Sequence, residues 1–142
     1  MWIEPKTDWH CKIVDGEYRG DYFNAEDYNR IKNNVMYLCE LEKILHNEFS
    51  YRDLGVDKTY NDDLYADEIS NIIENIEKLR EYSHFYMWFD FNPNRFGENK
   101  PMLNAKELNQ IEDTILEAYK TINDEFIYSR KFTWNFEDKG EV

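Results

Sequence analysis

Apolar side chains recur at steps of three and four residues in three separate parts of the chain. The first set is Tyr28, Ile31, Val35 and Leu38. The same spacing returns 41 residues later at Ile69, Ile72, Ile76 and Leu79. It returns again 80 residues after the first set, at Leu108, Ile111, Ile115 and Ala118. Steps of three and four place side chains on one face of a helix, so the pattern predicts three related helices.

Polar residues mark where these helices begin. Asn24 and Asn104 are good N-caps, and each is followed three residues later by an acid, Asp27 or Glu107, in a capping-box pattern. Together with the apolar spacing, these residues predict helices over about 25–48, 63–82 and 104–125.

Each predicted helix offers one apolar face, which is enough for the three to share a core. We therefore predict a mainly α fold, a three-helix repeat bundle, in a single domain over 1–142. Residues 1–23 carry Trp2 and Trp9 among turn-forming residues. We expect this N-terminal aromatic arm to pack along the helices.

Two aromatic segments, 84–91 and 126–136, depart from the helical pattern and are strand-like. The second alternates at Phe132, Trp134 and Phe136, which is the period of a strand with one buried face. Their simplest arrangement is a small two-stranded β-ribbon against the bundle, and the alternative is a contact with a partner. The candidate partner-binding residues are Trp2, Trp9, Tyr86, Trp88, Phe132, Trp134 and Phe136.

The chain is strongly acidic, with 30 acidic against 17 basic side chains and a net charge of −13. Such a surface repels nucleic acid and anionic membranes, so direct nucleic-acid binding is not expected. It is either a solvated exterior or an imitation of nucleic acid toward a basic partner. No apolar run approaches the roughly 20 residues that cross a bilayer, and no secretory signal is visible. We expect a soluble protein made in the cytoplasm.

The sequence contains no motif of a nucleophile, a phosphate-binding loop or a paired-cysteine metal site. The histidines His10, His46 and His84 are far apart, and acid pairs such as Glu112-Asp113 are typical of a solvated helix face. We therefore expect no catalytic residues, no cofactor and no metal.

One spacing resembles a calcium-binding loop. Asp57, Thr59, Asn61 and Glu68 fall at loop positions one, three, five and twelve, but Asp62 replaces the glycine that the sharp turn requires. Glu68 also corresponds to the capping acids of the other two helices, so capping is the favoured role.

Asn29 and Asn109 occupy the same position in the first and third repeated segments. Because asparagine is a poor helix former, its recurrence favours a side-chain bond that holds the helix entry or the neighbouring arm. Partner binding is the alternative.

Several phrases of the chain resemble one family. The start Trp2-Ile3-Glu4-Pro5-Lys6-Thr7-Asp8-Trp9 and the segment Tyr22-Phe23-Asn24-Ala25-Glu26-Asp27-Tyr28-Asn29-Arg30-Ile31 carry the likeness most clearly. The segments 54–60, 65–68 and 103–112 add to it. They resemble small proteins encoded among the tail and baseplate genes of phages and prophages of Gram-positive bacteria.

This resemblance implies a non-enzymatic structural or adaptor protein that contacts other tail or baseplate proteins, with self-association as a further option. It would occupy the host cytoplasm during assembly and then the virion. The acidic surface leaves a different function open, an inhibitor of a host defence protein that mimics nucleic acid.

Overall fold

The computed structural model describes residues 2–89 and 103–140, with side chains as far as Ser129 in the second range. This part of the chain is mainly helical. After a small antiparallel sheet of β1 (Ile13–Val14) and β2 (Glu17–Tyr18), the helices are α1 (Ala25–Leu45), α2 (Ala66–Ser83) and α3 (Ala105–Gly140). Within these ranges, no helix has both the length and the apolar composition needed to cross a bilayer.

In the first turn of each helix, an acidic side chain accepts a hydrogen bond from the backbone N–H of the residue just before the helix. Asp27 and Asn24 exchange side-chain and backbone bonds of 3.0 and 3.2 Å at α1. Glu107 and Asn104 do the same at α3, with bonds of 2.8 and 3.1 Å. At α2, Glu68 accepts from the backbone N–H of Tyr65 at 3.1 Å. The capping role expected for Glu68 is confirmed.

The repeated apolar positions form the centre of the core, and each helix contacts the other two. All of them are buried: Tyr28, Ile31, Val35, Leu38, Ile69, Ile72, Ile76, Leu79, Leu108, Ile111, Ile115 and Ala118. Further core residues come from outside the stripes, namely Trp9, Phe49, Phe85, Phe89 and Ile122. The core therefore receives aromatic rings from segments that are not helical.

The strand prediction for 126–136 is wrong, because this stretch continues α3 to Gly140, well beyond the predicted end near 125. No glycine or proline occurs between Ala105 and Lys139, so nothing in the sequence stops the helix there. The predicted ribbon between 84–91 and 126–136 consequently does not form. Residues 84–89 contain no strand, and residues 90 and 91 lie outside the described range.

The small sheet occurs instead in the N-terminal region. Ile13 pairs with Tyr18 and Val14 with Glu17. Asp15 and Gly16 join the strands with φ of 52° and 78°, which is the left-handed conformation that tight hairpin turns require.

Asparagine side chains on the helices hold the backbone of the N-terminal segment. Asn34 of α1 accepts from the N–H of Ile3 (2.9 Å) and donates to its carbonyl (2.7 Å). Asn109 of α3 makes the same pair of bonds to Trp9, at 2.7 and 2.9 Å. We call this paired arrangement an amide clamp. It satisfies one backbone donor and one acceptor that have no partner in a helix or sheet.

Two further amide clamps hold the connection between α1 and α2. Asn75 of α2 bonds the N–H and carbonyl of Arg52 at 3.0 and 2.8 Å. Asn29 of α1 bonds those of Lys58, both at 2.8 Å. The expected bond to the neighbouring arm is confirmed for Asn109, which holds Trp9, whereas Asn29 holds Lys58 in the connection between α1 and α2.

We expect Asn34→Ala to destabilise the protein by about 1–3 kcal/mol, because it removes two hydrogen bonds and leaves Ile3 unpaired. Urea unfolding at neutral pH measures the change. Asn33→Ala is the matched control, since Asn33 makes one bond to the exposed Asp57. Its change should stay within about 0.5 kcal/mol. Equal effects of the two substitutions would contradict the clamp.

Candidate functional site

The two tryptophans of the N-terminal segment pack against α3. Trp9 is buried, and its indole N–H donates to Glu112. The Trp2 ring is half-buried and stacks on Tyr119, with centroids 4.0 Å apart and an angle of 14° between the planes. Of these two candidate partner residues, Trp9 contributes no exposed ring surface.

Glu112 lies at the centre of a buried polar network. Arg30 donates to its two carboxylate oxygens, from Nε at 2.9 Å and Nη2 at 3.0 Å. The backbone N–H of Lys6 donates to it at 3.1 Å, in addition to the indole of Trp9. Arg30 also bonds Asp27 at 2.8 Å. The network joins the N-terminal segment to α1 and α3.

The sequence interpretation of Glu112 as part of a solvated face is wrong, because Glu112 is fully buried. A sign of this burial was present in the sequence. Glu112 is four residues after Leu108 and three before Ile115, so it lies on the apolar stripe of α3.

Tyr86 and Trp88, called here the aromatic pair, project outward from the segment that follows α2. Their exposed fractions are 65% and 48%, whereas Phe85 and Phe89 on either side are buried. The two exposed rings meet edge to face with centroids 4.9 Å apart. Burial therefore alternates along 85–89 although no strand forms there.

A threonine of α3 fixes the backbone beneath the aromatic pair. The N–H of Trp88 donates to the hydroxyl of Thr114 at 2.9 Å, and that hydroxyl donates to the Gln110 carbonyl at 2.8 Å. Thr114 is fully buried. It lies 80 residues after Asn34, the interval that separates the first and third apolar stripes, so it occupies the position in the third segment that Asn34 occupies in the first. The aromatic pair thus stands on a backbone held to the longest helix.

The other predicted contact residues lie farther along α3. Phe132, Trp134 and Phe136 belong to the helical stretch, but their side chains are outside the described part of the structure. Their role in partner binding stays a prediction.

A cavity of about 590 Å³ opens beside the start of α1. Its lining includes Arg30, Asp57, Lys58 and the nearly fully exposed Tyr60. Three of the charged members have partners in the fold, since Arg30 binds Glu112, Asp57 binds Lys32 (2.6 Å) and Lys58 binds Glu68 (2.9 Å). These side chains are used to connect segments of the chain.

The residues spaced like a calcium loop also have structural partners. The Asp57 carboxylate accepts hydrogen bonds from Lys32 and from Asn33. Both bonds lower the pKa of the Asp57 carboxyl, and the bond from Lys32 has the larger effect. Thr59 bonds Asp62 in a tight turn, at 2.7 Å from its N–H. Glu68 caps α2. Asp57, Thr59 and Glu68 therefore each have a partner within the chain.

A different group of metal-ligating side chains occurs where α1 ends. Among the described residues, Glu42, His46 and Glu125 each present a ligand atom, and these atoms lie within 4.8 Å of one another. Ser83 donates to Glu42 at 2.8 Å, and its oxygen lies 3.1 Å from Glu125. Burial raises the pKa of the Glu42 carboxyl above its ordinary value. This group is a candidate metal site.

Sequence reasoning missed this group because Glu125 is 79 residues from His46, so nothing local relates them. One sign was available. Glu42 and His46 are four residues apart near the end of a predicted helix, which places both on one face.

No protein-family model matches the chain. Searches for similar curated proteins and similar solved structures likewise give no match.

We expect Glu112→Gln to destabilise the protein by about 2 kcal/mol, because the largely buried Arg30 cation (13% exposed) keeps Asp27 but loses the charge of Glu112. Urea unfolding measures the change, and a red shift of tryptophan emission would report exposure of Trp9. Asp113→Asn is the control, since Asp113 is the adjacent acid of α3. Burial raises the pKa of its carboxyl, so the fold disfavours this charge and its removal should not destabilise the protein. A Glu112→Gln effect no larger than that of Asp113→Asn would contradict the network.

Proposed function

We propose that the protein is a non-enzymatic structural or adaptor component of a phage tail or baseplate, acting through protein–protein contacts. The observation that carries the proposal is the exposed aromatic pair on a backbone fixed to α3. The resemblance of the N-terminal and α1 segments to tail and baseplate proteins supplies the class of partner. Self-association is a second use of the same surface.

The aromatic pair has the properties of an interface anchor. Tryptophan and tyrosine are enriched among the residues that contribute most to protein–protein binding. Tyr86 and Trp88 keep about half or more of their surface exposed, while Phe85 and Phe89 hold the segment in the core. Because the Thr114 bond fixes the backbone, less conformational entropy is lost on binding than from a free loop.

The repeated construction supports a scaffold role. We interpret the chain as a three-helix repeat bundle in which an N-terminal aromatic arm and the later segments are tied to the helices. Equivalent positions support this interpretation, because Asn29 and Asn109 bind segments in the same way, and so do Asn34 and Asn75. Most buried polar side chains described above are used in such ties, as suits a protein that maintains a shape.

The net charge of −13 favours one rival function, the inhibition of a host defence protein by mimicry of nucleic acid. The two functions differ in their dependence on salt. Binding through an acidic surface weakens as ionic strength rises toward and beyond about 0.15 M, whereas binding through buried aromatic rings does not.

We expect the protein to be present in particles purified from the strain that encodes it, and Tyr86→Ala/Trp88→Ala to reduce its incorporation at least tenfold. The reason is that truncating two interface anchors typically costs more than about 2 kcal/mol in binding. Quantitative mass spectrometry of gradient-purified particles measures incorporation against an invariant capsid protein.

Tyr128→Ala is the matched control, because Tyr128 is also an exposed tyrosine, at 75%, and lies on α3. It should leave incorporation unchanged. Consistent absence of the wild-type chain from particles would remove the proposed function. If both variants lowered incorporation equally, the aromatic pair would not be the surface that binds the particle.

A further inference from the structure

All three helices contribute to one polar cluster where α1 ends. Glu42 lies in the last turns of α1, and His46 is the residue that ends it, donating its backbone N–H to the Glu42 carbonyl at 2.7 Å. Ser83 is the last residue of α2, and Glu125 lies in α3. The side chains therefore converge from elements whose positions the core fixes.

The carboxylate oxygens of the cluster receive few hydrogen bonds from the described residues. One Ser83 hydroxyl lies within hydrogen-bond distance of both Glu42 and Glu125, but it carries a single proton. The second carboxylate oxygen of Glu42, Oε1, is buried and has no hydrogen-bond partner among the described residues. A buried carboxylate oxygen left in this state is costly, so a positive species at this point would stabilise the fold.

We propose that Glu42, His46 and Glu125 bind a zinc ion, or another transition metal of the same class, through three protein ligands. One imidazole nitrogen and two carboxylate oxygens form a ligand set that zinc accepts, with a water completing a tetrahedron. Calcium and magnesium prefer all-oxygen sites, so the histidine selects against them.

The distances allow this assignment with a small movement. Ligands of a tetrahedral zinc lie about 3.4 Å apart, and the three ligand atoms are within 4.8 Å of one another. Glu42 is fixed by burial, while the His46 side chain is 39% exposed and Glu125 is half-buried. His46 and Glu125 can therefore rotate toward Glu42 without disturbing the core.

Both ring nitrogens of His46 lie near a carboxylate. Its Nε2 lies 3.7 Å from the unpartnered Oε1 of Glu42, and its Nδ1 lies 3.9 Å from Glu48. Metal-binding histidines commonly have a carboxylate at the second ring nitrogen, which fixes the tautomer and raises ligand basicity. At 3.9 Å, Glu48 would have to approach Nδ1 by about 1 Å to take that role.

A metal here would join the end of α1 to α3 beside the end of α2. This role is independent of the proposed contact with phage proteins, since the aromatic pair is not part of the cluster. The site can therefore be tested on the purified protein alone.

The test is isothermal titration of chelator-treated protein with zinc chloride, in a Cys11→Ser background because the exposed Cys11 thiol could bind zinc itself. We expect one ion per chain and a higher thermal unfolding midpoint with zinc than with chelator. Glu42→Gln and His46→Asn should each weaken binding more than tenfold. Glu125→Gln should also weaken it and, being only half-buried, serves as the variant least able to disturb folding.

His84→Asn is the matched control, because His84 is an exposed histidine next to Ser83 and asparagine tolerates its left-handed conformation, with φ of 53°. It should bind zinc as the parent does. The proposal is overturned if the parent binds no zinc, or if Glu42→Gln and His46→Asn bind it unchanged. It is also overturned if calcium or magnesium binds more tightly than zinc.

Discussion

The amide clamps are the constraint on which the rest of the structure depends. Long segments of this chain are neither helix nor sheet, so their backbone N–H and carbonyl groups need partners from elsewhere. Helix-borne asparagines supply both a donor and an acceptor from one side chain, at Ile3, Arg52, Lys58 and Trp9. Because these bonds fix the segments against the helices, they determine which aromatic rings of the segments are buried and which are exposed. Burial of Trp9 follows from its clamp to Asn109, and exposure of Trp88 follows from a backbone that the Thr114 hydroxyl holds.

The buried acids show how the same residue type acquires different chemistry. Glu112 receives donors from Arg30, Lys6 and Trp9, so its charge is compensated within the protein. Glu42 is equally buried but keeps one oxygen without a hydrogen-bond partner among the described residues. The environment of Glu112 stabilises the ionised carboxylate, which links three parts of the chain. The environment of Glu42 favours binding of a proton or a cation. Although the chain has a net charge of −13, the two acids discussed here are among the few that are buried from solvent.

The aromatic residues divide in a similar way. Sequence reasoning grouped Trp9 with Trp88 as contact residues, because both lie in aromatic segments outside the helices. The structure separates them: the Trp9 indole is needed by a buried carboxylate, whereas the Trp88 side chain points outward between two buried phenylalanines. A period of two in burial along 85–89 identifies the outward rings, and that period can be read from the sequence only once the segment is known to be non-helical.

The sequence by itself determined the three helices, their capping acids and the stripe of apolar residues that each buries, because these depend on spacing within one element. It also indicated that the side chains of Asn29 and Asn109 hold the helix entry or the neighbouring arm, since a poor helix former at a repeated position needs a reason to be there. Only the tertiary structure decided which segments they hold and that Glu42, His46 and Glu125 meet. The alternation of Phe132, Trp134 and Phe136 was a local pattern that an uninterrupted helix overrode. The meeting of distant side chains depends on how helices pack, and no local spacing encodes that distance.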